Sequence, residues 1–286
     1  MMSAPPTKRA RIPSDSGAAM SNAEESDGIL SDFRLYSAEM TAKQDRHERI
    51  VKLGRDLTVL SKRTIFALQR VLLDCDESRS KLVVEARDKL NGGAGDLLYK
   101  IAMELCGVSV DLYSRAYSPG IQEYIEARCL LYFIEHGSLI SRATCIALIQ
   151  ASIDSCKAAK GDSKSPDALT VPVSVYDYVL GVADVGGELM RLATNNASSG
   201  NRDAPFQICA FIRALYEELT VLEAVSHGKS FHQKLNTMQA TLTKLESACY
   251  ALKIRGTEVP TQMLSDLFKG SSSTSGTKSD ETRSQD

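Results

Sequence analysis

The sequence predicts an all-α protein, a single-domain bundle of about seven helices between two disordered tails. Three observations predict it. Apolar residues recur at spacings of three and four through most of residues 29–269. No run of alternating β-branched residues is long enough to form a strand. Capping and breaking residues fall at the junctions between the apolar runs.

Taken in order, residues 1–28 are rich in Pro, Ser and Ala without periodicity, and are expected to be a disordered leader. Phe33, Tyr36, Met40, Ile50, Leu53, Leu57, Leu60, Thr64, Leu68 and Val71 predict one long helix over about 31–74. Its length marks it as a scaffold or assembly element. A second helix is expected over about 77–91 and a third over about 94–115, separated by Gly92 and Gly93. Ser118 followed by Pro119 predicts a capped start for a fourth helix, which ends near Gly137. Ser141 caps a fifth, to about 157, and residues 158–172 form a polar loop. Ser174 and Asp177 predict a capping box for a sixth helix, to about 195. Asp203 and Pro205 start a seventh, to about 225. The last helix carries Phe231, Leu235, Met238, Leu242, Leu245, Cys249 and Leu252, an uninterrupted heptad seam closed by Gly256. Such a seam serves either an oligomer or the internal core of the bundle. Residues 270–286 are expected to be a second disordered tail. The domain boundaries are therefore 1–28, 29–269 and 270–286.

Composition narrows the class. The chain has 286 residues, 43% hydrophobic and 24% charged, with a net charge of −2, so any polyanion surface must be a local patch. None of the seven cysteines forms a CxxC, which predicts reduced, buried thiols rather than a zinc site. No segment reads as a signal peptide or membrane span, so an intracellular, soluble protein is expected. Lys8-Arg9-Ala10-Arg11 is a short basic cluster of the import-signal type.

The chemistry concentrates in four carboxylates. Glu123 and Glu126 are three residues apart, and Asp184 and Glu188 four apart, so each pair shares a helical face. Like charges stacked this way repel, so each pair either stands in water or encloses a cation. In water, Glu123 and Glu126 would pair with Arg128 or Arg115. Enclosing a cation, oxygen ligands alone suit a hard metal, Mg²⁺ or its substitutes Mn²⁺ and Ca²⁺. No histidine follows either pair in a Glu-x-x-His pattern, which disfavours a redox di-iron centre. The face of the second pair continues through Asp177, Gly181 and Arg191, and glycines at 181, 186 and 187 are expected to admit a second backbone or a ligand. Lys52, Arg55, Lys62 and Arg63 lie along one side of the first helix, and Lys253 and Arg255 close the last. They form either a solvated basic face or a set of phosphate contacts.

Six stretches carry a resemblance to the translin family: RHERIVKLGRDLT at 46–58, SKRTIF at 61–66, GIQEYIEA at 120–127, DYVLGVAD at 177–184, GELMR at 187–191 and ACYALKIRG at 248–256. They spread over about 33–268, while residues 74–117 and 138–172 match poorly. The resemblance implies a seven-helix fold and a hetero-oligomer with translin. It also implies a Mg²⁺-dependent endoribonuclease, Mn²⁺ being a possible substitute, that cuts single-stranded RNA and also takes single-stranded DNA. Passenger-strand removal in RNA silencing, in cytoplasm and nucleus, is the implied role. The family's acidic positions fall on Glu123, Glu126, Asp184 and Glu188, and the intact quartet is similar to the metal-bearing branch rather than to translin itself. Among the four, Glu126 and Glu188 are expected to be direct ligands. A non-catalytic helical adaptor for translin and single-stranded nucleic acid is the alternative.

Overall fold

The computed structural model describes residues 17–70, 76–161, 168–223 and 228–255. Among them are eight α-helices and no strand. They are α1 (Gly17–Leu68), α2 (Asp76–Asp88), α3 (Ala94–Leu105), α4 (Ser114–His136), α5 (Arg142–Lys160), α6 (Val175–Ser198), α7 (Ala204–Glu223) and α8 (Lys229–Arg255). A π-turn over Lys89–Gly93 joins α2 to α3 without a break, so the eight helices make seven rods. This is the all-α bundle the sequence predicts. The lysine–arginine cluster at 8–11 and the tail from 256 lie outside the described residues.

The chain divides into two compact units, 1–48 and 49–286, inside α1; the sequence boundary stood at 28/29. Within the first unit, α1 begins at Gly17, fourteen residues before the expected start. From residue 29 onward its apolar side chains stand in solvent: Phe33 is 65% and Met40 71% exposed. The rings of Phe33 and Tyr36 meet edge-on, 6.1 Å apart.

In the second unit, α6 is the central rod, packed on α4, α7 and α8. Two close crossings bring its neighbours in. A Cβ on Gly181 would lie 2.8 Å from the Gln122 carbonyl and 2.8 Å from the Ile125 Cγ2, so glycine lets α6 touch the α4 backbone. A Cβ on Gly120 would lie 2.5 Å from the Gly54 carbonyl, which seats α4 directly on α1. Of the other two glycines expected to admit a neighbour, Gly186 faces Met238. Gly187 has no protein atom within 4 Å of its Cβ position, so no second backbone approaches there.

Several helix ends differ from expectation for identifiable reasons. The third helix stops at Leu105, ten residues early, because Cys106 is extended and Gly107 takes φ 72°. Gly92 and Gly93 do not separate two helices; they sit inside the π-turn. The fourth helix starts at Ser114 and runs through Pro119, so Ser118 is no cap: its hydroxyl donates to Asp177 instead. The caps at Ser141 and Ser174 form as expected. Each hydroxyl accepts the backbone N–H three residues on, from Thr144 at 3.0 Å and from Asp177 at 2.9 Å. Gly137 ends α4 in the left-handed region, φ 66°.

The heptad seam of α8 faces inward. All seven of its residues, Phe231 through Leu252, are buried. It closes the core against α6 and α7 rather than offering a coiled-coil surface.

Candidate functional site

Four rods that the fold brings together supply the acids and their partners. On α4, Glu123 and Glu126 share one face. On α6, Asp184 and Glu188 share another, and the Gly181 crossing sets the two faces against each other. All four carboxylates line one pocket of about 450 Å³, with Lys62, Ile65 and Phe66 of α1 and Arg191 of α6. The pairing on facing helices is therefore present, and Lys62 joins it. The pairings with Arg128 or Arg115 are not: Arg128 turns into the core, donating to the Tyr124 hydroxyl at 2.7 Å and to Asn91 at 2.6 Å.

Each acid has a different environment. The Lys62 ammonium lies 2.9 Å from Glu123 Oε1 and is itself held above its ordinary pKa, chiefly by Glu123. Lys234, reaching in from α8, places its ammonium 2.6 Å from Asp184 Oδ2, with the Leu180 carbonyl at 3.2 Å and the Gln122 amide oxygen at 3.4 Å. Glu188 accepts at Oε2 from the Gln69 amide, 2.8 Å away, and the same amide nitrogen donates to the Glu188 carbonyl at 2.9 Å. Arg191 approaches the same Oε2 at 3.8 Å. Glu126 is 8% exposed and makes no hydrogen bond or ion pair among the described residues. Burial, and then the charges of Asp184, Glu123 and Glu188, push its carboxyl up to about 8.

Asp177, on the same face by sequence, is not part of this pocket. It is a structural acid, accepting from the Ser118 and Ser174 hydroxyls and, at 3.0 Å, from the Gln122 amide. Of the basic residues, Lys52 and Arg55 are exposed on α1. Arg63 lines a separate hollow with Asp56 and Lys89. Lys253 is exposed at the far end of α8, and the side chain of Arg255 lies outside the described residues. The pocket thus takes Lys62 alone from that set. Sequence reasoning missed Lys234, Gln69, Gln122 and Phe66. No local signal marks them, because each reaches the site through a contact between distant segments.

The donor set fits a hard cation. Four carboxylates face one small hollow, one of them is buried without a partner, and the Gln69 amide oxygen is buried and unpaired beside them. The fit requires local rearrangement. Among the described residues no three acids, histidines or cysteines already converge as a metal cage, and the lysine ammoniums engage Glu123 and Asp184.

Fold and site together define an all-helical protein with a four-carboxylate pocket flanked by cations. The Translin family profile matches residues 45–256. The chain belongs to the translin family. It is similar to Translin-associated protein X of Rattus norvegicus, 36% identical over 86% of each chain. Human translin aligns over only 29% of this chain and 36% of its own length, at 30% identity. In three dimensions the chain resembles AfC3PO, solved as a complex with duplex RNA. The TM-score is 0.55 at 18% identity, covering 81% of this chain and all of that one, which shows the shared fold.

Proposed function

We propose that this chain is the nuclease-bearing subunit of a translin-containing assembly, hydrolysing phosphodiester bonds of single-stranded RNA with Mg²⁺, or Mn²⁺ in its place. The observation that carries the reading is the convergence of two acid pairs, from helices some sixty residues apart in the chain, on one pocket with Glu126 buried and unpaired. The similarity to Translin-associated protein X supports the partnership, and the likeness to a chain solved with duplex RNA supports RNA as the ligand class.

Glu126 and Glu188 would hold the ion, with Glu123 and Asp184 completing its surroundings. When bound there, Mg²⁺ would supply Lewis-acid polarisation of a phosphate oxygen and a lowered pKa for a water. The chain's own groups do the rest. The Gln69 amide fixes Glu188 by its Oε2. Lys234 fixes Asp184 from behind through three acceptors on α4 and α6. Lys62 and Arg191, both more than half exposed, stand at the pocket lip where a phosphate backbone passes. Contacts of this kind to the backbone would suit sequence-tolerant cleavage. Passenger-strand removal in RNA silencing, in cytoplasm and nucleus, is the role we attach to this activity.

The test is Glu126→Gln in the full chain assembled with translin, assayed on single-stranded and duplex RNA with Mg²⁺. Loss of cleavage with assembly and RNA binding retained is the expected result. Full activity overturns the reading. The pairing of Lys62 and Lys234 with two of the acids favours one second reading, a non-catalytic adaptor whose lysines neutralise the pocket permanently. In that case a chelator leaves every activity of the assembly unchanged.

A further inference from the structure

Phe66 is the one aromatic side chain lining the acid pocket, and it is 65% exposed. Its neighbour Ile65 is 6% exposed, so α1 turns one apolar residue into the core and leaves the next in water at the mouth of the site. Single exposed apolar residues are ordinary on protein surfaces. This one differs by its surroundings. Lys62, one turn earlier on the same helix, and Arg191, across the pocket on α6, place cations on the same lip. The combination of an exposed ring with cations beside a pocket is what a single nucleic-acid strand recognises: phosphates on the cations, a base on the ring.

We propose that Phe66 is the stacking platform for a nucleobase next to the scissile phosphate, and that it is the residue that selects single-stranded over duplex substrate. The inference rests on the nuclease reading above and gives it a specificity determinant. Every base has a π-face, so stacking on Phe66 is tolerant of sequence. A paired base has both faces covered by its neighbours and is not available to the ring. The strand's phosphate then runs over Lys62 and Arg191 toward the acids.

The experiment uses the full chain assembled with translin and a short single-stranded RNA carrying one 2-aminopurine, in chelator, so that binding is read without cleavage. Phe66→Leu keeps the apolar bulk and removes the ring; Phe66→Trp keeps a ring. The expected result is quenching of 2-aminopurine by the wild type and by Phe66→Trp. Phe66→Leu should lose the quenching and bind the single strand roughly tenfold more weakly. Affinity for the same RNA as a duplex should stay unchanged in all three. Quenching by Phe66→Leu equal to that of the wild type overturns the proposal. So does an equal loss on duplex RNA, or a loss that tracks failure to assemble with translin, which would make Phe66 a subunit contact. The nuclease reading fails separately: a wild-type assembly without Mg²⁺-dependent cleavage sinks it whatever the fluorescence reports.

Discussion

At Glu126 a carboxyl group is buried among three others, and its proton is held until about pH 8. The folded chain therefore binds a proton there that the unfolded chain, with an ordinary carboxyl, has already released. Between roughly pH 4.5 and pH 8 this group makes the metal-free protein less stable as pH rises; outside that window it contributes no slope. Glu126→Gln keeps the shape without the charge, so in chelator it should stabilise the protein by about 4 kcal/mol near pH 8 and have little effect near pH 4.5. Thermal melts across that range check the sign; an advantage that shrinks with rising pH contradicts it. Lys234 is the opposite case, a cation that offsets the crowding. Lys234→Met leaves Asp184 without its nearest partner, and should cost about 1–3 kcal/mol in chelator. The loss should be smaller with Mg²⁺ present; equal melting loss in both conditions would show that the lysine matters only for packing. Spacing showed that each acid pair shares a helical face, whatever the tertiary fold, while the grouping of the two pairs into one site was what the family resemblance implied. Lys234, Gln69 and Phe66 could not be read from spacing. Lys234 lies 50 residues from Asp184 and Gln69 lies 119 from Glu188, so only the packed bundle relates them.

Elements hold these residues in register, chiefly through backbone contact between α4 and α6. Gly181→Ala would push a methyl against the Gln122 carbonyl and the Ile125 side chain, each 2.8 Å from the Cβ position. The expected cost is about 1–3 kcal/mol, with a loss of Mg²⁺-dependent cleavage larger than the stability change explains, because the two acid faces separate. Gly187→Ala, whose Cβ position is open, is the control and should be slightly stabilising as a helical substitution. Ser174→Ala removes the hydroxyl that caps α6 and should cost about 1 kcal/mol by chemical denaturation. The sequence announced this cap and the one at Ser141, because a hydroxyl immediately before an apolar run has a single local job. It misplaced the start of α4 for a matching reason. Ser118-Pro119 has the local chemistry of a helix start, yet its hydroxyl is taken by Asp177, 59 residues away. The third helix was expected to run on to about 115, but Gly107, with φ 72°, has already turned the chain.

For the whole molecule, the question is which apolar faces serve the core and which are left over. A heptad repeat does not say, since a coiled coil and a bundle interior both repeat every seven residues. The α8 seam turned out to be core, whereas the apolar residues of α1 between 29 and 48 stand exposed. A chain with such a surplus should purify poorly alone and well when co-expressed with translin. On the proposed reading, a cation in the acid pocket would be coupled to folding in a way that depends on pH, and this gives the broadest test. The protein without metal carries the repulsion of four carboxylates; a cation that binds only the folded pocket relieves it and stabilises the fold by mass action. At a Mg²⁺ concentration about a hundred times its dissociation constant the gain is about 2.7 kcal/mol. For a domain of this size that is a rise in melting temperature of roughly 5–10 °C. Protons compete for the same oxygens, Glu126 foremost, so the rise should be large near pH 8 and much smaller near about pH 6. Binding at the lower pH should release a proton, measurable as a buffer-dependent heat. In Glu126→Gln both the rise and the proton release should vanish. A Mg²⁺ response that ignores pH, or that survives in Glu126→Gln, would put the cation elsewhere on the protein and leave the acid pocket to its lysines.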